Sequence, residues 1–304
     1  MNRTPYAILD AEENVVAVLL GKPVEGEERD PEKRWDAAIE RLAHKFEAAR
    51  TKRGRKFAAG LKNHRRGKYT ASSFGVSYGG GQKRPGNLAM SADHREMVEE
   101  FRTDEDLGRV AGWQSNGFAS YGPKGYDSMV SALDRLYDSQ PELQRNFPNS
   151  AYPCATANLG PNTVCLAHND CSNFPSFPCA VTPFGSFDPD KGGQLILYDL
   201  KVKIRFPSGS TILLPSAGMR HGNVPIQAGE RRYSFTQYCP GGLMRWVRHG
   251  LQPAWKLSPA TRSRLDGEGG EGWQAQLRTL SKYSELAADR AWLVEREAAR
   301  LSRG

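Results

Sequence analysis

Three residues of this 304-residue chain are of types that ligate a divalent metal and sit at a spacing that lets them converge. His168 and Asp170 lie one residue apart in the stretch LAHNDCSNF (166–174), within a segment that reads as a strand. Strand side chains alternate between faces, so His168 and Asp170 point together and Asn169 points away. A turn or capping cluster would use the same residue types, so a third ligand has to decide. His221 supplies it from GSTILLPSAGMRHGNVPIQAGERRYSFTQY (209–238). Two imidazoles and one carboxylate on one face of an octahedral ion leave three positions open. That set suits Fe(II), with room for a bidentate cosubstrate and O₂. Cys165 and Cys171 flank His168, which makes a Cys/His zinc site the weaker alternative.

A 2-oxo acid with a second carboxylate needs a cation at its far end, and two neighbouring arginines compete for the role. If QAGE (227–230) is a four-residue hairpin loop, Ile226 pairs with Arg231 and His221 pairs with Thr236. Arg232, Ser234, Thr236 and Tyr238 then share the face of His221, while Tyr233 and Phe235 turn toward a packing layer. Arg232 is the expected carboxylate partner, about 13 Å along the strand at ~3.3 Å per residue. The planar guanidinium fork matches a carboxylate.

Such convergence needs strands, and the chain supplies them. From about residue 150 the apolar period becomes two, with strands expected at 153–159, 163–169, 177–184, 193–199, 201–206, 210–214, 219–226 and 231–238. The turn signals GPN, DPDKGG, PSGS and QAGE separate them. Eight short strands at this spacing predict a closed or nearly closed antiparallel barrel or jelly roll. Upstream, 5–23 reads as two short strands around an acidic turn. A helix follows, capped by Asp30 with Pro31 in its first turn, and Trp35, Ile39, Leu42 and Phe46 form its core face. Residues 71–88 are rich in Gly and Ser and read as a loop. Helices are expected at 91–102 and 124–140. DGEGGEG (266–272) reads as a linker. Beyond it, one final helix carries a stripe from Trp273 to Leu301.

The domain reading has three parts: an N-terminal helical region (1–149) packed on the core, the strand-rich core (150–250), and a linker with a C-terminal helix (251–304). The longest early apolar run, VVAVLL (15–20), is too short to cross a bilayer, and the start lacks the layout of a signal peptide. Five cysteines without a C-x-x-C pair argue for reduced thiols inside the cell. Charge is uneven. Between Glu47 and Asp93 there is no acidic residue and there are eleven Lys or Arg, so the rest of a +8 chain carries −3. A basic segment on a mildly acidic body predicts nucleic-acid contact, with Arg53, Arg55, Lys56, Arg65, Arg66, Lys68, Gln82, Lys83 and Arg84 (all within 49–88) as candidate backbone contacts.

Over 150–247, GGQLILYDL and FPSGSTILLPSAGMRHGNVPIQAGERRYSFTQY resemble the core of Fe(II)/2-oxoglutarate dioxygenases. More narrowly the chain resembles the fungal branch of the TET/JBP nucleic-acid base oxygenases, to which GVSYGGGQKRPGN also bears likeness. The resemblance implies an α+β fold with a double-stranded β-helix (jelly-roll or cupin-like) core, N-terminal helices and a C-terminal helical extension. It implies Fe(II), 2-oxoglutarate and O₂, with His168, Asp170 and His221 on the metal and Arg232 and Ser234 on the cosubstrate. It places Asn173 and Tyr238 against a flipped base in methylated DNA, and implies a nuclear location. The expected reaction is oxidation of 5-methylcytosine to 5-hydroxymethylcytosine and further. Pro240 stands where the animal enzymes have a cytosine-contacting His, and their cysteine-rich zinc module has no counterpart. N6-methyladenine or an RNA base is therefore the alternative target. A nucleic-acid-binding protein with an inactive barrel is the alternative from another class.

Overall fold

An eight-stranded antiparallel sheet and a three-stranded one carry the architecture of the computed structural model, which describes residues 5–24, 30–267 and 271–302. The strands are β1 (Tyr6–Leu9), β2 (Val15–Gly21), β3 (Ala71–Ser77), β4 (Gly86–Asn87), β5 (Cys154–Asn158), β6 (Cys179–Phe184), β7 (Leu195–Leu197), β8 (Val202–Ile204), β9 (Thr211–Leu214), β10 (His221–Asn223) and β11 (Tyr233–Tyr238). The large sheet has the order β1-β2-β9-β6-β11-β5-β3-β4, and the small one β10-β7-β8. The 163–169 strand is realised as a bridged segment. His168 N donates to His221 O at 2.9 Å, His221 N returns the bond at 3.0 Å, and Asn223 N donates to Cys165 O at 3.0 Å. Residues 165–168 thereby extend the small sheet beyond β10.

Strand alternation decides what each face of the large sheet meets. On β11, Tyr233 and Phe235 join the buried cluster built by α1 (Trp35–Thr51), the short α2 (Ala59–Lys62), α3 (Ala92–Arg102) and α4 (Glu105–Tyr121). Phe46 of α1 stacks on Phe101 at 5.0 Å and meets Phe184 of β6 edge-on at 5.1 Å. Burying each such ring contributes about 1.5–3 kcal/mol. This helical layer backs the sheet and leaves its other face for polar residues. α5 (Pro123–Ser139) and α6 (Gly241–Arg248) pack in a second cluster with Tyr152 and Leu213. The expected start of α1 is present with a small change. Asp30 accepts from Glu32 N at 3.0 Å and caps a 3₁₀ turn, Pro31–Lys33, which leads into α1.

Four expectations need correction. First, β10 and β11 do not form a hairpin. β10 pairs with β7, and β11 inserts between β5 and β6, with Ser234 opposite Asn158 and Pro183. Second, 71–88 is not all loop, because β3 pairs with β5 over Ala71–Gly75 and with β4 at Val76 and Ser77. Third, the N-terminal region is not only a helical layer on the core: the two strands expected in 5–23 are present as β1 and β2, and with β3 and β4 they join the large sheet. Fourth, the single C-terminal helix is broken. α7 (Pro259–Asp266) and α8 (Glu271–Leu277) precede α9 (Leu286–Leu301). Between α8 and α9 the backbone pairs with the turn after β1: Val15 N donates to Ser281 O at 2.9 Å and Tyr283 N to Glu13 O at 2.9 Å. Part of the 266–272 linker, residues 268–270, lies outside the described residues.

Candidate active site

The cavity between the two sheets, about 60 Å³, holds the chemistry. His168 reaches it from the bridged segment, His221 from the start of β10, and Asp170 from the turn after His168. Their ligand atoms lie within 4.8 Å of one another, the one such group among the described residues. His168 Nε2 is 3.7 Å from Asp170 Oδ1, and His221 Nε2 is 3.9 Å from Asp170 Oδ2. Each imidazole is oriented by its other nitrogen. Nδ1 of His168 lies 2.7 Å from Leu166 O, and Nδ1 of His221 lies 2.9 Å from Met219 O. A carbonyl can only accept, so both Nδ1 atoms carry a proton and both Nε2 atoms are turned toward Asp170. Burial, and then the neighbouring His221, hold the His168 imidazole down at about 4. His168 is therefore neutral near pH 7, as metal ligation requires.

Arg232 enters the same cavity from the β11 side. It is 2 % exposed, and Nη1 donates to Thr163 O at 3.0 Å. Its Nε has no partner, nor do the nearby buried atoms Asn158 Oδ1 and Thr163 Oγ1. Phe187 packs on the guanidinium, whose carbon lies 5.8 Å from the ring centroid. No carboxylate pairs with Arg232 among the described residues. A buried cation without an anion costs several kcal/mol, and a ligand carboxylate would offset that cost. Ser234 follows on the same face and accepts from Asn158 Nδ2 at 2.9 Å. Arg231 points the other way and binds Glu47 at 2.9 Å. The face assignment of the two arginines holds although the hairpin assumed for it does not exist, because alternation along β11 alone decides it.

The remaining candidates divide. Tyr238 is on the cavity face of β11, with its hydroxyl 3.4 Å from Thr156 Oγ1. Asn173 sits behind Asp170, and its Nδ2 is spent on Cys179 Sγ at 3.1 Å and Ser216 Oγ at 3.2 Å. Cys165 bonds to the Tyr69 hydroxyl at 3.0 Å and Cys171 is exposed, so neither joins the metal group.

The basic segment also needs correction. The Arg55 side chain is 2 % exposed and faces Glu96 and Glu100 of α3, so it braces α3 instead of reaching solvent. Arg84 pairs with Glu142 at 3.3 Å. Arg66 lines the cavity, 3.8 Å from Asp170 Oδ1, and Arg65 reaches the same oxygen at 3.6 Å. Arg53, Lys56, Lys68, Gln82 and Lys83 are exposed. Sequence reasoning missed Tyr69, Asn158 and Asn223 as cavity residues. Asn158 had a readable signal: it ends a strand whose alternate residues, Thr156 and Asn158, are polar.

A larger apolar cavity, about 420 Å³, lies against Val18, Phe118, Met219 and Leu277. It holds none of His168, Asp170, His221 or Arg232, so it is separate from the metal group.

Searches against protein-family models and curated proteins return no match. Among solved structures, NgTET1 in complex with 5mC DNA is similar, with a TM-score of 0.56 at 17% identity over 80% of this chain and 79% of that one. OsALKBH1 aligns with a TM-score of 0.36 at 11% identity, covering 67% of this chain and 93% of that one. An oxidoreductase of the 2OG-Fe(II) oxygenase family from Burkholderia pseudomallei aligns at 0.30 and 16%, covering 58% and 70%. The NgTET1 likeness shows the fold: α+β, with a double-stranded β-helix core and helices before and after it.

Proposed function

We propose that this protein is an Fe(II)- and 2-oxoglutarate-dependent oxygenase that oxidises a methyl group on a nucleic-acid base, with 5-methylcytosine in DNA as the first substrate. One observation carries the reading: a convergent two-His, one-carboxylate group and a buried, anion-free arginine open into one cavity. The donor set suits Fe(II), and the unpartnered Arg232 Nε suits a carboxylate. His168, Asp170 and His221 would hold the metal. Arg232 and Ser234 would hold the far carboxylate of the cosubstrate. When bound, the metal and cosubstrate would activate O₂, one atom of which goes to the methyl group as hydroxyl and the other to succinate as the cosubstrate loses CO₂. The chain positions the parts and excludes water, the latter through Val181, Leu195, Phe206 and Leu214 on the cavity wall.

The fold shared with NgTET1, whose structure holds 5mC DNA, supports a nucleic-acid substrate. So do the exposed cations of the basic segment. A paired base cannot reach a metal between two sheets, so the base is flipped. Tyr238 would stack on it, while the Asn173 amide nitrogen, expected to contact it, is already engaged by Cys179 and Ser216. Pro240 motivates a second reading with the same chemistry on N6-methyladenine or an RNA base. An inactive barrel explains the site less well, since it would bear the burial of Arg232 without return.

Purified protein with Fe(II), 2-oxoglutarate and matched methylated oligonucleotides, read by mass spectrometry, tests the proposal. Hydroxymethylcytosine in the DNA arm is expected. Succinate formation with 5-methylcytosine untouched would remove the substrate claim.

A further inference from the structure

A polar cleft of about 300 Å³ opens where the glycine-rich turn after β3 meets α6 and the loop beyond it. Gln82, Arg245, Gln252 and Arg262 line it. Its charge balance is one-sided. Arg245, Arg248 and Arg262 lie in or beside the cleft, and the one carboxylate paired there among the described residues is Asp266. That carboxylate is shared by His249 at 2.8 Å, Arg248 at 3.6 Å and Arg262 at 3.6 Å. Arg245 is exposed and makes no ion pair among the described residues. Burial does not constrain the facing turn. Gly79, Gly80 and Gly81 take φ of 144°, 56° and 91°, and nothing lies within 4 Å of where a Cβ would stand. Gly79 and Gly81 line the cleft, so the turn's backbone borders it. Surplus guanidinium charge, two side-chain amides and a bordering backbone suit an oxyanion.

The cleft is tied to the metal-bearing segment. Gly241 N donates to Ser172 O at 2.8 Å, and Asn173 bridges Pro240, so α6 starts against the turn that carries Asp170. Arg245 follows four residues later, about 6 Å along the helix axis. At Gly242 a Cβ would meet Tyr78 O at 1.9 Å, so helix and glycine-rich turn are in close backbone contact. Nucleotides in a strand rise about 3.4 Å each. The cleft is thus a few nucleotides from a base presented to the metal.

We propose that this cleft seats a backbone phosphodiester of the bound nucleic acid, with Arg245 as its principal cation; the inference rests on the nucleic-acid reading given above. Each phosphate contact contributes about 0.9 to the slope of log affinity against log salt on duplex DNA. Fluorescence anisotropy of a short methylated duplex over a salt series tests this in wild type, Arg245→Gln, Arg245→Lys and Arg264→Gln. Arg264, exposed on α7 and outside the cleft lining, is the charge-matched control. Arg245→Gln is expected to weaken binding several-fold and to lower the slope by about 0.9. Arg245→Lys should recover most of the slope, and Arg264→Gln should resemble wild type. Single-stranded DNA and RNA arms show which phosphodiester is held best, and Arg245 dependence in any arm supports the seat. Equal slopes for Arg245→Gln and Arg264→Gln in every arm, or no binding by wild type, would overturn it. The same samples are assayed for oxidised bases. Arg245 dependence without oxidation supports the seat and counts against the catalytic reading alone.

Discussion

Arg231 and Arg232 are neighbours in sequence and opposites in environment. Arg231 lies at the surface with Nη1 2.9 Å from Glu47, while Arg232 is buried between the sheets with no carboxylate and its Nε unpartnered. One peptide bond separates an ordinary surface ion pair from a buried cation that waits for an anion.

Replacing that cation is expected to stabilise the fold while removing function. Arg232→Met deletes an unpaired buried charge and keeps most of the volume. Without cosubstrate it should raise stability by about 1–2 kcal/mol, the gain being reduced by the lost bond to Thr163 O. Urea denaturation of the metal-free protein measures it. A variant destabilised by a similar amount would show that Arg232 is satisfied in the free protein.

The metal-free protein should lose stability in mild acid through His168. Its imidazole is held at about 4, below the ordinary 6.5, by burial and by His221. The unfolded chain therefore takes up the proton first. The contribution is fully present above about pH 6.5 and is lost as pH falls toward 4. The loss is about 3 kcal/mol at ~1.4 kcal/mol per pH unit. Comparing wild type with His168→Asn in urea across this range isolates the effect. The variant should show a flatter profile between pH 6.5 and 4, and parallel profiles would contradict the assignment.

Gly222 is expected to be essential to the geometry of the metal group although it carries no ligand. A Cβ there would meet Cys165 O at 2.8 Å and Ala167 N at 3.3 Å, in the backbone that leads into His168. Gly222→Ala must push β10 from that segment, costing about 1–3 kcal/mol. It should also weaken binding of Co(II), a spectroscopic stand-in for iron. Unchanged Co(II) affinity together with unchanged stability would mean that the segment yields freely.

Much of the site was legible because it depends on local rules. Alternation along β11 places Arg232 and Ser234 on one face and Tyr233 and Phe235 on the other, whatever β11 pairs with. The pairing itself was not legible. β11 meets β5 and β6, and β10 meets β7, and that choice is made by distant strands. Composition misled at β3, which looks like a loop. Its small residues are there because neighbours approach closely: a Cβ at Gly75 would meet Pro153 O at 2.2 Å. α4 escaped notice for a similar reason. Gly117 interrupts its apolar pattern, and a Cβ there would strike Leu20 at 2.2 Å. Charge counting found the basic segment but not its roles, because Glu96 and Glu100, which claim Arg55, lie beyond its end.

The most direct test is calorimetric titration of 2-oxoglutarate into Co(II)-loaded protein without oxygen, in wild type, Arg232→Ala and Arg231→Ala. Wild type and Arg231→Ala should bind one equivalent, Arg232→Ala should lose at least tenfold in affinity (about 1.4 kcal/mol or more), and omission of the metal should weaken binding in all three. Binding that ignores the metal, or that fails with Arg231→Ala and survives Arg232→Ala, would contradict the shared metal and cosubstrate site.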